Sequence, residues 1–280
     1  MLPSAYWYYG LMIISLILIV VSLIYKKDLR LLALHLQISA VIYPFEIIVL
    51  ILLNGYYYLP GILQDARLDN YLGSYVSNFF IIPASAVVIN AFSMSWNYVI
   101  GIAAIFMGID WYFTELGIYR HFWWKSLYTG IGLCILYEIS KWIWRGLHTK
   151  EPSLWFRVFT IYMTYASLHN IIVFSLNRGG ELFRFQINWF LDPEKGHQFF
   201  SFLHLMFTSI IITICLGLRF RYRLISIVIL TMLNCFLEQH YIFIPLMENI
   251  SAIYFILVSM IVVLLIIVLF TLAKLKYLFP

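Results

Sequence analysis

Five ionisable side chains interrupt long apolar runs: Glu46, Asp110, Glu115, His169 and Glu238. A charge inside a membrane-spanning helix costs at least about 2.5–3.5 kcal/mol, so each such residue needs a partner or a task. Carboxylates gathered with an imidazole at one depth could hold a small solute or an ion. They could also exchange a proton, because histidine titrates near neutral pH. Glu46 sits roughly 10 Å inside the outer end of its run at 1.5 Å per residue, and Asp110 lies about a turn and a half below Glu115 at 3.6 residues per turn. Asn170, His204, Asn234 and His240 fall in the same band. Together these positions predict a polar pocket in the outer half of a membrane, roofed by two long loops.

Plainer readings stand beside this one. Glu115 can snorkel to the interface or pair with Arg120, and His169 can be a core histidine bonded to a backbone carbonyl. Glu138 and Lys141, one turn apart, form a local ion pair with no further role. Pro44 kinks its helix, and by lacking an N–H it frees backbone groups beside Glu46. The chain contains no HExxH, no GxSxG, no phosphate loop and no zinc spacing, so no catalytic residue, cofactor or metal site is expected. Cys134, Cys215 and Cys235 form no CxxC pair and read as small buried side chains.

The elements that carry these residues must be membrane helices. Of 280 residues 63% are apolar and 11% charged, with mean hydropathy +0.91, too few charges to cover a water-soluble domain of this size. About twenty apolar residues match the hydrocarbon thickness, and helices alone satisfy their backbone groups over such lengths. The expected fold is therefore an all-α transmembrane bundle of nine spans, near 5–25, 31–53, 75–92, 96–119, 126–144, 154–176, 202–218, 224–246 and 252–273. The connections at 54–74 and 177–201 should hold short interfacial helices.

The formal net charge of +5 does not indicate nucleic acid, because the basic residues sit in short clusters between spans. With the N-terminus outside, one face receives Lys26, Lys27, Arg30, Lys141, Arg145, Lys150, Arg157, Arg219, Arg221, Arg223, Lys274 and Lys276. The other receives Arg67, Arg120, Lys125, Arg178, Arg184 and Lys195, so the 18 Lys and Arg divide 12 to 6. The richer face should be cytoplasmic, which also places the C-terminus there. Tyr6–Tyr9, Tyr56–Tyr58, Trp123–Trp124, Trp142, Trp144 and Trp155 lie near span ends and read as interfacial anchors.

Shifting the chain by 123 residues aligns Lys27 with Lys150, Asn54 with Asn177, Asp69 with Asp192 and Gly73 with Gly196. It also aligns Glu46 with His169, Phe113 with Phe236 and Glu115 with Glu238. Scarce polar residues make these matches informative. They predict an N-terminal helix at 1–25 followed by two parallel four-helix units, at 26–148 and 149–280. Coincidence between apolar helices is the alternative.

The stretch Asn78-Phe79-Phe80-Ile81-Ile82-Pro83, with Asp110, Glu115, Gly117 and Trp123-Trp124, resembles a group of small multi-pass membrane proteins from spore-forming Gram-positive bacteria. The resemblance spans about residues 25–145. The group's members match only one of the two units, and the resemblance implies a bacterial plasma membrane and no particular activity. Two functions remain open from the sequence. One is a small-solute or ion transporter that uses Glu46, Asp110, Glu115, His169 and Glu238. The other is a non-catalytic scaffold or assembly factor in envelope or spore biology, with a dry core and its acids paired off. The lipid bilayer is the one partner expected in both.

Overall fold

A computed structural model describes residues 3–180, 183–186, 188–217, 232, 236, 243–245 and 253–275. The chain is mostly helical and divides into two compact units, Met1–Thr149 and Lys150–Pro280. Among the described residues, five helices are long and apolar enough to cross a membrane: Ser4–Lys26, Arg30–Leu52, Ala66–Ala91, Leu154–Ser175 and Pro193–Leu216. That composition is the mark of an α-helical membrane protein.

The first unit begins with α1 (Ser4–Lys26), an apolar helix that Lys27 ends in the left-handed region (φ 52°), its N–H returning to the Leu23 carbonyl at 2.8 Å. Next comes α2 (Arg30–Glu46), which widens into a π-helical stretch over Ile47–Leu52. Its residues from Leu31 to Ala40 are buried or half-buried on every side, which makes α2 a central helix of this unit. The run predicted to start at 75 begins earlier: α3 (Ala66–Tyr75), a π-helical stretch (Val76–Ile81) and α4 (Ile82–Ala91) form one continuous rod. The Asp65 carboxylate starts it by accepting the N–H groups of Arg67 and Leu68. Then follow α5 (Trp96–Glu115) and α6 (Ser126–Leu147), which pack along each other. Gly130 permits the contact, since a Cβ there would collide with Met107.

The connection 54–74, expected to hold an interfacial helix, carries strand β1 (Tyr56–Tyr58) and then most of α3, which is no separate helix but the start of the long rod. Strand β1 pairs antiparallel with β2 (Tyr119–His121), Tyr57 opposite Arg120. The N-terminal end of α1 lies at this same end of the unit, where the Tyr8 hydroxyl donates to the Ile118 carbonyl at 2.8 Å. The opposite end gathers the α1–α2 connection, the α4–α5 turn and the end of α6. There Asp28 meets His148 at 3.1 Å, Tyr25 stacks on Phe92 at 4.3 Å, and the Lys141 ammonium lies 5.1 Å from the Trp96 ring.

The second unit holds α7 (Leu154–Gly180), β3 (Phe183–Phe185), α8 (Pro193–Gly217), β4 (Phe243–Pro245) and α9 (Ile253–Leu272). Strands β3 and β4 pair antiparallel, Arg184 opposite Ile244, and α7 packs along both α8 and α9. The span predicted over 224–246 lies outside the described residues, except at 232, 236 and 243–245. At the last three the chain is a strand and not a helix, because it pairs with β3. Helix α8 starts at Pro193, well before the expected 202.

Candidate functional site

In the first unit, α1 to α6 enclose a cavity of about 410 Å³, with Glu46 and Asp110 both in its wall. These two acids come from different helices and are 5% and 8% exposed. A buried carboxylate needs donors, and Glu46 has them on both oxygens. The Tyr56 hydroxyl donates to Oε2 at 2.6 Å and the Ser74 hydroxyl to Oε1 at 2.7 Å. Asn78 bonds to Glu46 as well, and its amide also reaches Ser74 Oγ at 3.2 Å. Burial, and next the charge of Glu46, push the Tyr56 hydroxyl well above its ordinary value. It therefore keeps its proton at physiological pH and is the donor in this pair.

The backbone around Glu46 follows from the same packing. The π-helical stretches Ile47–Leu52 and Val76–Ile81 begin just after Glu46 and just after Tyr75, so both flank the Glu46–Ser74 bond. Such widened turns are rare and recur at functional sites. Gly73 lets the second rod approach β1, because a Cβ there would meet the Tyr58 side chain and Pro60. The side-chain Oδ1 of Asn70 accepts the Tyr58 N–H at 2.8 Å, which locks strand to helix. Asp69, 4% exposed, accepts the N–H groups of Gly61, Ile62 and Leu63 and so shapes the loop above the cavity.

Asp110 is held differently. Its Oδ1 lies 2.9 Å from His121 Nε2 on β2, and its Oδ2 accepts the Thr129 hydroxyl at 3.2 Å. Thr129 Oγ1 in turn accepts the Trp124 indole N–H at 2.9 Å. Between the acids stand the rings of Tyr56, Tyr58, Tyr119 and Trp124, with centroids of neighbouring rings 4.8–5.6 Å apart. Burial pushes the hydroxyls of Tyr58 and Tyr119 well above their usual range, so both stay neutral.

Glu46 and Asp110 thus share one cavity wall. Glu115 does not: it stands exposed at the last turn of α5, outside that wall. Glu238 lies outside the described residues, as do Asn234, Cys235 and His240. His169 belongs to the second unit, 2% exposed, with its ring 5.4 Å from Tyr165 and beside His204. Its Nε2 has no hydrogen-bond partner among the described residues. Nearby in that unit, His197 Nδ1 accepts the Phe185 N–H at 3.0 Å, and the Phe185 and His204 rings are 5.4 Å apart. The pair expected between Glu138 and Lys141 is present at 3.6 Å.

Sequence reasoning missed the partners of the acids: Tyr56, Ser74, His121 and Thr129. Tyr56–Tyr58 read as interface anchors, yet Tyr56 is buried against Glu46. The one available signal was the need of a buried carboxylate for donors. Among the described residues, no group of three or more His, Cys, Asp or Glu is placed to hold a metal ion.

The helices and this cavity define the class as an α-helical membrane protein with a polar cluster buried in one unit. Comparison with family models, with curated proteins and with solved structures finds no match to the chain.

Proposed function

We propose that the chain is a small-solute transporter of the membrane, with its solute site in the cavity of the first unit. One observation carries the proposal: two acids from separate helices, each already oriented by its own donors, face the same cavity of about 410 Å³. Preformed concave sites with an apolar wall and a few fixed polar groups are the usual form of small-molecule sites. A residue buried at such cost in a membrane helix marks a function by default.

The proposal includes nine crossings, with the N-terminus outside. In the first unit the basic end holds Lys26, Lys27, Arg30 and Arg145, while Arg67, Arg120 and Lys125 lie toward the β1–β2 end. This asymmetry supports a cytoplasmic placement for the former. In the described parts of both units a helix, a strand and a helix are followed later by a strand that pairs with the first and by a further helix, which supports descent of the two from one duplicated unit. The bacterial plasma membrane is the setting that the resemblance of residues 25–145 implies.

The scaffold reading draws support from a specific fact, the pairing of both acids inside the protein. Accessibility of the cavity separates the two. In a background free of Cys134, Cys215 and Cys235, Ser77→Cys puts a thiol on the cavity wall. A membrane-impermeant thiol reagent added from one side should label it in proteoliposomes. No labelling from either side, with full labelling after detergent denaturation, would leave a closed core and favour the scaffold.

A further inference from the structure

We infer that the solute of this cavity is a lipophilic organic cation, an amine or quaternary ammonium carried on a hydrocarbon body; the inference rests on the cavity being a solute site. Charge is the first ground. Glu46 and Asp110 line the cavity, and none of its lining residues is Lys, Arg or His. Asp110 already has a partner outside the wall, the His121 ring at 2.9 Å. Among the described residues Glu46 has only neutral donors, two hydroxyls and an amide, so dipoles orient its carboxyl group and no cation is matched to it. A ligand that brings positive charge completes that pairing, and a buried ion pair gains most where hydrogen bonds already orient the carboxylate.

The wall is the second ground. Rings of Phe45, Tyr56, Tyr58, Tyr119, Trp124 and Tyr128 surround the acids, and ring faces attract cations within about 6 Å of their centroids. Away from the acids the cavity is bounded by Leu, Ile, Val and Phe side chains of α1, α2, α5 and α6, which favour a hydrocarbon body. A strongly hydrated metal cation would find two separated carboxylates and no cage of oxygens. An anion would face two like charges.

The test is equilibrium binding of radiolabelled decyltrimethylammonium to the full chain in zwitterionic lipid nanodiscs, with empty nanodiscs subtracted. Saturable binding near one per chain is expected, with decanol and decanoate competing at least ten times more weakly. Glu46→Gln should weaken binding ten-fold or more, equivalent to about 1.4 kcal/mol. Gly132→Leu provides a variant that leaves the acids alone, since a Cβ at Gly132 meets nothing within 4 Å and the larger side chain fills the cavity. It should weaken binding too. Equal competition by decanol, with Glu46→Gln binding unchanged, would overturn the cationic class while leaving a solute site in place. Absence of saturable binding of any of the three probes, together with an unlabelled Ser77→Cys, would overturn both.

Discussion

In each unit a helix leads into a strand that pairs with a later strand, and the two units differ in chemistry there. In the first, the helix before the strand carries Glu46, and the strand is Tyr56-Tyr57-Tyr58. In the second, the helix before the strand carries His169 and the strand is Phe183-Arg184-Phe185. The acid comes with hydroxyl donors on its strand and on α3. The imidazole comes with rings: Tyr165 beside it, Phe185 near His204. The difference follows from desolvation. A buried carboxylate is stable only if several donors converge on it, whereas a neutral imidazole can be held largely by packing. The first unit sets its polar cluster around a cavity.

The comparison breaks most severely if β1 is pushed off its helix. Gly73→Val places a branched side chain against Tyr58 and Pro60, where neither strand nor helix can move freely. A loss of about 3 kcal/mol, the upper end for overpacking, is expected. Unfolding of the purified protein, followed by circular dichroism in a fixed detergent, measures it; a melting temperature equal to that of the parent would show the close approach to be unimportant.

A paired substitution sharpens the contrast. Tyr56→Phe strips the Oε2 donor from Glu46 and should cost about 2 kcal/mol, because a charged acceptor is left short. Tyr165→Phe removes a buried hydroxyl of the second unit that bonds Ser259 Oγ at 2.8 Å, a neutral pair worth about 1 kcal/mol. Equal losses would mean that the charge of Glu46 adds nothing to its bond.

The smallest effect lies at the basic end of the first unit. Burial pushes the Asp28 carboxyl up, but the hydrogen bonds and charge of Arg30, with the charge of His148, outweigh it and hold it below the usual carboxylate range. A depressed folded value stabilises the protein above the unfolded value, near pH 4, and the contribution fades as pH falls through the folded value. Asp28→Asn should therefore lower stability by less than about 1 kcal/mol at pH 7, with the gap closing below about pH 4. Melting curves of parent and variant across that range should converge at the acid end; a gap of constant size would assign the effect to packing.

Glu46 and Asp110 were legible in the sequence because charge is scarce in an apolar chain and conspicuous wherever it occurs. Helical class and membrane composition were legible for the same reason, since both depend on local hydropathy and length. The donors were not. Ser74 lies 28 residues from Glu46 in the chain and His121 eleven from Asp110, and in each case the helix that carries the acid ends before its partner. Tyr56 read as an anchor because an aromatic run beside a span end has the same composition whether it faces lipid headgroups or folds inward.

What the residues determined by themselves was the material: helices too apolar for water, acids too costly to be idle, and basic clusters that mark one end. Tertiary structure decided which acids meet. Pairing of β1 with β2 is a long-range event that no local period encodes, and it turns Tyr56 toward Glu46 and His121 toward Asp110. It left Glu115, one and a half turns from Asp110, outside the cavity. Helical depth is a one-dimensional quantity readable from a string, whereas the direction of a side chain depends on every helix packed around it.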